Sequence, residues 1–278
     1  GIIELKKNDS DILIATDPDA DRVGVAIKNK RDIVLINGNQ LASLIVYYTL
    51  RKKKEKNNLY KNNFIAKTIV TTNLIDKICE DYKINCYSTL TGFKHIASLI
   101  KNRKNEKFIA GGEESYGYLV GDFVRDKDAI ISSSIICEIA NWAKNQSKNL
   151  VDILNEIYDQ YGIFKDKLFT IKLEGIKGRE NIEKIMKEFR INPPNLIFNI
   201  KIKKVIDYSK KNNNEIINEK ANVIQFITKN NSSITVRPSG TEPKIKFYFS
   251  LNSKILSHKK IEELINKEIE IIKKKYAK

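Results

Sequence analysis

Asp17, Asp19 and Asp21 fall at every second position of Asp11-Ile-Leu-Ile-Ala-Thr-Asp-Pro-Asp-Ala-Asp-Arg22. Three carboxylates this close repel one another, and a bound cation relieves the repulsion. Their donors are hard oxygens, which favour Mg²⁺, Ca²⁺ or Mn²⁺ over Zn²⁺. The same spacing opens an EF-hand, but that loop needs Gly at its sixth position and a bidentate Glu at its twelfth. Counted from Asp17, those positions hold Arg22 and Lys28, so the EF-hand is excluded. What remains is a divalent-metal loop at a strand end, with Arg22 beside it to meet an anion such as a phosphate. A solvated acidic turn is the alternative.

Three further stretches carry usable chemistry. In Gly111-Gly-Glu-Glu-Ser-Tyr-Gly117 the glycines allow close backbone approach to a ligand. Glu113 and Ser115 pair a carboxylate with a hydroxyl, a combination that grips vicinal sugar hydroxyls. A Gly-rich turn with an acidic helix start explains the same residues. Thr91-Gly-Phe-Lys-His95 offers Lys94 to a phosphate or a sugar oxygen, or simply to solvent. In Thr235-Val-Arg-Pro-Ser-Gly-Thr-Glu-Pro243, Arg237 supplies a bidentate fork. Ser239, Gly240 and Thr241 add hydroxyl and N–H donors suited to a phosphate nest. A Ser-Gly hairpin turn accounts for the glycine but not for Arg, Ser and Thr crowding one tip.

These loops need elements to hold them. Residues 12–15 read as a short buried strand leading into the acidic loop, with strands at 23–27 and 32–36 after it. Helical spacing at 41–53 ends in basic residues, as the helix dipole favours. Strands at 66–71, 84–87 and 107–110 alternate with helices at 74–82 and 96–101, with Asn73 as a candidate cap of the first. That alternation predicts a parallel sheet with crossover helices, whose strand-to-helix loops bind ligands. A strongly apolar helix follows at 129–143 and an amphipathic one at 151–161, which Gly162 ends. The texture then changes. Strands at 167–173, 223–228 and 233–236, with helices at 179–189 and 255–276, predict a separate α+β domain from about residue 162.

Length and composition set the bounds. A chain of 278 residues gives one to two domains with ample core, and 41% hydrophobic against 30% charged residues is globular. A net charge of +16 invites a nucleic-acid reading, but the lysines are spread along the chain among Asn and Ile rather than gathered on a face. The expectation is no nucleic-acid partner, with a positive field that draws small phosphorylated substrates. Cys79, Cys86 and Cys137 are isolated, without Cys-x-x-Cys spacing, which argues for a reducing compartment and against structural zinc. No apolar run reaches membrane-spanning length, so the expectation is a cytoplasmic protein with no membrane contact. Gly1 stands where an initiator Met is usual, and the acidic loop is complete by Arg22. The expectation is therefore a piece of a longer protein.

Taken together, the motifs resemble those of the α-D-phosphohexomutase family, the phosphoglucomutases and phosphomannomutases. Thr16-Asp-Pro-Asp-Ala-Asp-Arg22 looks like the family's metal loop. Gly112-Glu-Glu-Ser-Tyr-Gly117 looks like its sugar-binding loop, and Arg237-Pro-Ser-Gly-Thr-Glu-Pro243 like its phosphate-binding loop. Thr91-Gly-Phe-Lys94 resembles a further active-site loop. The Asp-Pro-Asp-Ala-Asp form and the Gly121-Asp-Phe run look most like the phosphoglucomutase and phosphopentomutase branch. The resemblance implies an α/β chain: the end of domain 2 over 1–31, a complete domain 3 over 32–161, and an α+β domain 4 over 162–278. It implies a mutase that moves phosphate between the 1-position and the 6- or 5-position of a sugar, through a phosphoserine and a bisphosphorylated intermediate. Asp17, Asp19 and Asp21 would hold Mg²⁺, and Arg22 would help neutralise the phosphoserine phosphate. Lys94 would line the cleft, Glu113 and Ser115 would bind the sugar, and Arg237, Ser239, Gly240 and Thr241 its other phosphate. A sugar bisphosphate such as glucose 1,6-bisphosphate would serve as activator. The family's Ser-His-Asn-Pro type of motif does not occur here, so the missing N-terminal domains are an expected partner and the chain alone is expected to be inactive. Two other readings stand beside this one: a phosphatase of the haloacid dehalogenase type with Asp17 as nucleophile, and a basic non-catalytic binding protein.

Overall fold

The computed structural model describes residues 1–173, 175–210, 219–240 and 242–277. They form two compact units, Gly1–Tyr161 and Gly162–Lys278.

In the first unit a short helix, α1 (Ile2–Lys7), precedes an antiparallel sheet of β1 (Ile12–Thr16), β2 (Val23–Asn29) and β3 (Asp32–Ile36), in the order β1-β2-β3. Thr16 faces Val23 in register, so the acidic loop is the tip of the β1–β2 hairpin. The strand expected to be buried, β1, is half-exposed or exposed along its length. It is an edge strand, hydrogen-bonded to β2 alone among the described residues. The expected boundary at 31/32 falls within the β2–β3 hairpin, where Asn29 faces Asp32 and Lys30 turns the chain at φ 57°.

Helix α2 (Gly38–Glu55) starts at a capping box, with Asn37 Oδ1 accepting the Gln40 N–H at 3.0 Å and Gln40 Oε1 accepting the Asn37 N–H at 3.0 Å. Its residues 41–50 are all buried, which explains why their sequence shows no polar face. The second sheet has the order β5-β4-β6-β7, from β4 (Asn63–Thr68), β5 (Asn85–Thr89), β6 (Lys107–Gly112) and β7 (Tyr118–Val120). Strand β4 lies parallel to both β5 and β6, and its six residues are buried, as a central parallel strand requires. The helices are α3 (Leu74–Tyr82), α4 (Phe93–Asn102), α5 (Ala129–Lys144) and α6 (Leu150–Tyr161). The parallel arrangement aims the loops after β4, β5 and β6 at one sheet edge.

Among the described residues, the second unit is an antiparallel sheet of order β8-β13-β12-β11-β10-β9 with two helices. Its strands are β8 (Ile163–Lys172), β9 (Leu196–Ile197), β10 (Ile200–Asp207), β11 (Ile224–Thr228), β12 (Ser233–Pro238) and β13 (Lys244–Ser253). Helices α7 (Gly175–Ile191) and α8 (His258–Tyr276) share its core, where Ile185, Met186, Ile261 and Ile265 pack with Val236, Phe247 and Phe249. The last helix starts three residues later than its periodicity suggests. Ser253 Oγ accepts the N–H groups of Ile255 and Leu256, and Ser257 Oγ then caps the helix through the Lys260 N–H. No helix among the described residues is long and apolar enough to cross a membrane.

Candidate active site

In the first unit, the three loops expected to carry chemistry are tied to one another. Arg22 and Gly117 pair as an isolated antiparallel bridge, and the Val23 N–H donates to Tyr116 O at 3.1 Å. The acidic hairpin therefore runs against the turn of residues 113–117, which closes on itself through Glu113 N–H to Gly117 O at 2.9 Å. Glu113 is buried at 8% exposure, and its Oε1 accepts the Gly92 N–H at 2.8 Å, which joins this turn to the loop holding Lys94. Gly92, at φ 111°, takes a conformation open to glycine and starts α4. Lys94 is exposed on the first turn of that helix. Ser115, between Glu113 and Gly117, is half-buried. Ala129, the first residue of α5, donates its N–H to Ala20 O at 3.1 Å, so the start of α5 backs the acidic loop.

The three aspartates divide in their settings. Asp17 Oδ1 accepts the N–H groups of Asp21 and Arg22, both at 3.1 Å. The Arg22 N–H above all holds the Asp17 carboxyl below the usual range, against a smaller opposing effect of desolvation. Asp21 Oδ2 meets Lys127 Nζ at 3.1 Å, while Asp21 Oδ1 is buried without a hydrogen-bond partner. Asp19 is exposed at the tip. Among the described residues no three His, Cys, Asp or Glu side chains are gathered as a metal cage, because Asp17 is turned into its own loop and Asp21 toward Lys127. The loop does fit a hard divalent cation in kind: its donors are carboxylate oxygens, and the buried Asp21 Oδ1 is an acceptor awaiting charge.

Lys127 is the residue whose importance spacing alone did not disclose. Its side chain is 12% exposed, it pairs with Asp21 and with Asp126 (2.9 Å), and its Nζ lies 5.6 Å from the centre of the Phe93 ring. Partial burial works against its charge, but the two carboxylates more than offset this and its pKa stands above the ordinary lysine value. The only cue in the sequence is the alternation of charge in Arg125-Asp-Lys-Asp128. Gly117 makes room for it, since a Cβ there would sit 2.3 Å from Lys127 Cδ. Lys67 is a second one. It is 2% exposed near the end of β4 and binds Thr71 O at 3.1 Å and Asp76 Oδ2 at 2.9 Å. Thr68 Oγ1 lies 2.8 Å from Thr71 Oγ1 and donates to Glu114 Oε2 at 3.4 Å, so this polar cluster continues to the 113–117 turn.

In the second unit the β12–β13 connection carries Arg237, Pro238, Ser239 and Gly240; Thr241 lies outside the described residues. Arg237, the last residue but one of β12, lies opposite Lys246 of β13. Ser239 N–H donates to Lys244 O at 2.8 Å, and its Oγ accepts the Glu242 N–H at 3.4 Å, so the serine holds the turn as well as lining it. Gly240 is exposed at the tip. Glu242 forms an ion pair with Lys244, and that contact first, then the charges of Lys172 and Lys246, holds its carboxyl below the usual range. An arginine, a serine and open backbone between flanking lysines give this turn donors of the kind an anion needs.

Comparison with known proteins matches both units to one family. Residues 37–161 match the phosphoglucomutase/phosphomannomutase alpha/beta/alpha domain III, and residues 198–275 the C-terminal domain of the same family. The phosphoglucomutase of Staphylococcus aureus (strain N315) is 38% identical over 255 residues, which cover 88% of this chain and 45% of the relative. That of Staphylococcus epidermidis (strain ATCC 12228) is 38% identical over 254 residues, covering 88% of this chain and 46% of the relative. The chain thus spans less than half the length of these curated relatives. Among solved structures, the Paramecium phosphoprotein pp63/parafusin, a phosphoglucomutase, in its open form superposes with a TM-score of 0.68 at 20% identity, covering 95% of this chain and 45% of that one. The N-acetylphosphoglucosamine mutase of Aspergillus fumigatus, in complex with GlcNAc-6P and magnesium, gives 0.52 at 13% identity, covering 99% of this chain and 53% of that one. At these identities the structures share the fold.

Proposed function

Because the chain belongs to the phosphoglucomutase/phosphomannomutase family, we propose that it is the sugar- and phosphate-gripping part of a phosphosugar mutase. The enzyme interconverts 1-phospho and 6-phospho (or 5-phospho) sugars, such as glucose 1-phosphate and glucose 6-phosphate, in the cytoplasm. The observation that carries this reading is the Glu113 carboxylate. It is buried, fixed by the Gly92 N–H, and set in a turn bridged to the acidic loop at Arg22. A structural turn does not need a buried charge tied to two other loops; a site that must hold a polyol beside a charged centre does.

Phosphoryl transfer asks the protein mainly to position groups and to offset developing charge. Glu113 and Ser115 take the sugar hydroxyls as acceptor and as donor or acceptor. Arg22, Lys94 and Lys127 surround the transferring phosphoryl group with positive charge. Asp17, Asp19 and Asp21 would hold Mg²⁺, which supplies further neutralisation of the phosphate when bound. Arg237, Ser239, Gly240 and Thr241 hold the phosphate that does not react. Since the two ends of a bisphosphorylated intermediate must exchange roles, that grip accepts either end. Glucose 1,6-bisphosphate, or the matching sugar bisphosphate, is the activator. Family membership leaves the haloacid-dehalogenase and non-catalytic binding readings without support.

The direct test is isomerisation of glucose 1-phosphate to glucose 6-phosphate, followed through a coupled dehydrogenase. The chain alone should give no turnover. Adding the N-terminal half of a related phosphoglucomutase as a separate polypeptide should restore it, and Glu113→Gln should lower the restored kcat/KM by about a hundredfold. Turnover by the chain alone, or restored turnover indifferent to Glu113, would overturn the proposal.

A further inference from the structure

The mouth of the β12–β13 hairpin carries more positive charge than one turn requires. Lys172 of β8 lies in register opposite Lys244 of β13, and Lys246 opposite Arg237 of β12. Lys244 and Lys246 are two residues apart on one strand, so both pairs project from the same face of the sheet. Like charges directly opposite one another destabilise a sheet, and here two such pairs adjoin. The chain brings Lys172 close to the turn itself, because the next residue, Leu173, donates its N–H to Pro243 O at 2.9 Å. Glu242 answers part of this charge through its ion pair with Lys244, but its side chain is 59% exposed. A carboxylate so exposed is a weakly held partner that a stronger anion displaces.

We propose that Lys172 and Lys244 are an outer arm of the 237–240 turn that selects doubly charged phosphate monoesters over singly charged esters, with Glu242 as the displaceable counter-ion. The inference rests on the reading that this turn holds the sugar's phosphate, and it adds what distinguishes the ligand. A phosphate monoester carries about −1.5 to −2 charge at pH 7. A sulfate monoester has nearly the same shape and a single charge. The inner contacts from Arg237, Ser239 and Gly240 serve either ester; the outer lysines reward only the second charge.

Calorimetric titration of the whole 278-residue chain with glucose 6-phosphate and with glucose 6-sulfate tests this. The expected result is a preference for the phosphate ester of about tenfold, shrinking as salt rises. Lys172→Met should narrow that preference about threefold, as loss of one exposed charge contact does. Glu242→Gln should tighten phosphate binding by a similar factor, since it removes the competitor for Lys244. Equal binding of the two esters, or an unchanged preference in Lys172→Met with an unchanged melting temperature, would overturn this inference alone. Failure of the unaltered chain to bind either ester, or full binding by Arg237→Ala, would overturn the phosphate reading of the turn and this inference with it.

Discussion

Asp21 and Lys127 set the electrostatics of the acidic loop. One Asp21 oxygen faces the lysine and the other is buried without a partner, so the lysine offsets only part of the loop's negative charge. Replacing Lys127 with Met frees Asp21 Oδ2 and returns repulsion to the loop. Titration with Mn²⁺, followed by the paramagnetic signal of the free ion, is expected to show metal binding strengthened several-fold in Lys127→Met. In the complete enzyme the same substitution should lower kcat, because it removes positive charge from the phosphoryl site. Unchanged metal binding together with unchanged kcat would remove Lys127 from the site. Gly117 offers a sharper test of the geometry. Gly117→Ala should cost about 1–3 kcal/mol of stability through collision with the Lys127 stem. Trimming that stem in Gly117→Ala/Lys127→Ala should return part of the loss, which thermal melting of the single and double variants would measure.

The hairpins and strand-to-helix loops explain how distant stretches of sequence meet. Parallel alignment of β4, β5 and β6 puts the loops after them at one edge, and the β1–β2 hairpin meets the turn after β6 at the Arg22–Gly117 bridge. In the second unit, Arg190 of α7 donates to Asp207 at the end of β10, with Nε to Oδ2 at 3.1 Å. Burial alone would raise the Asp207 pKa, but hydrogen bonds from Arg190 and Ser209 outweigh it and the carboxyl titrates below the usual value. A depressed carboxylate stabilises the fold above its unfolded pKa of about 3.9 and loses that contribution as pH falls through the folded value. The melting temperature of Asp207→Asn is therefore expected to lie below that of the unaltered chain at pH 7, and the gap to close as pH falls below about 4. A gap that persists undiminished in acid would assign the effect to packing instead.

Much of this was legible in the sequence, and the misses have physical causes. Strands β4, β5 and β6 and helices α3 to α6 follow from apolar period. The expected cap of α3 does not form: Asn73 stands at the helix start, but its side chain makes no capping bond and its Oδ1 accepts from Lys67 Nζ at 3.3 Å. Helix α5 is capped instead by Asp128, whose Oδ1 accepts the N–H groups of Ile130 and Ile131. Strand β10 was not legible, because lysines interrupt its alternation and its longer pairing is with β11, more than a dozen residues away. Strand β1 reads as buried because its residues are apolar, yet burial depends on neighbouring strands that the local run does not specify. The acidic, Gly-rich and phosphate-type loops stood out since their chemistry is local. Lys127 and Lys67 did not, since a lysine in a charged loop or a strand looks solvated until its partners, Asp21 and Asp76, arrive from elsewhere in the chain.

Over the whole chain, a net charge of +16 suits small anionic substrates, and each unit carries its own kind of contact. Under the proposed function the first carries the acidic and sugar-binding loops and the second the phosphate-binding turn, and a sugar phosphate offers each unit, taken by itself, a group it can recognise. The most direct test is calorimetric titration of the chain with glucose 1,6-bisphosphate, beside the Arg237→Ala variant. The account predicts saturable binding by the unaltered chain and a loss of at least tenfold in affinity for Arg237→Ala with the melting temperature retained. Absence of binding by the folded chain, or equal affinity in the variant, would contradict it.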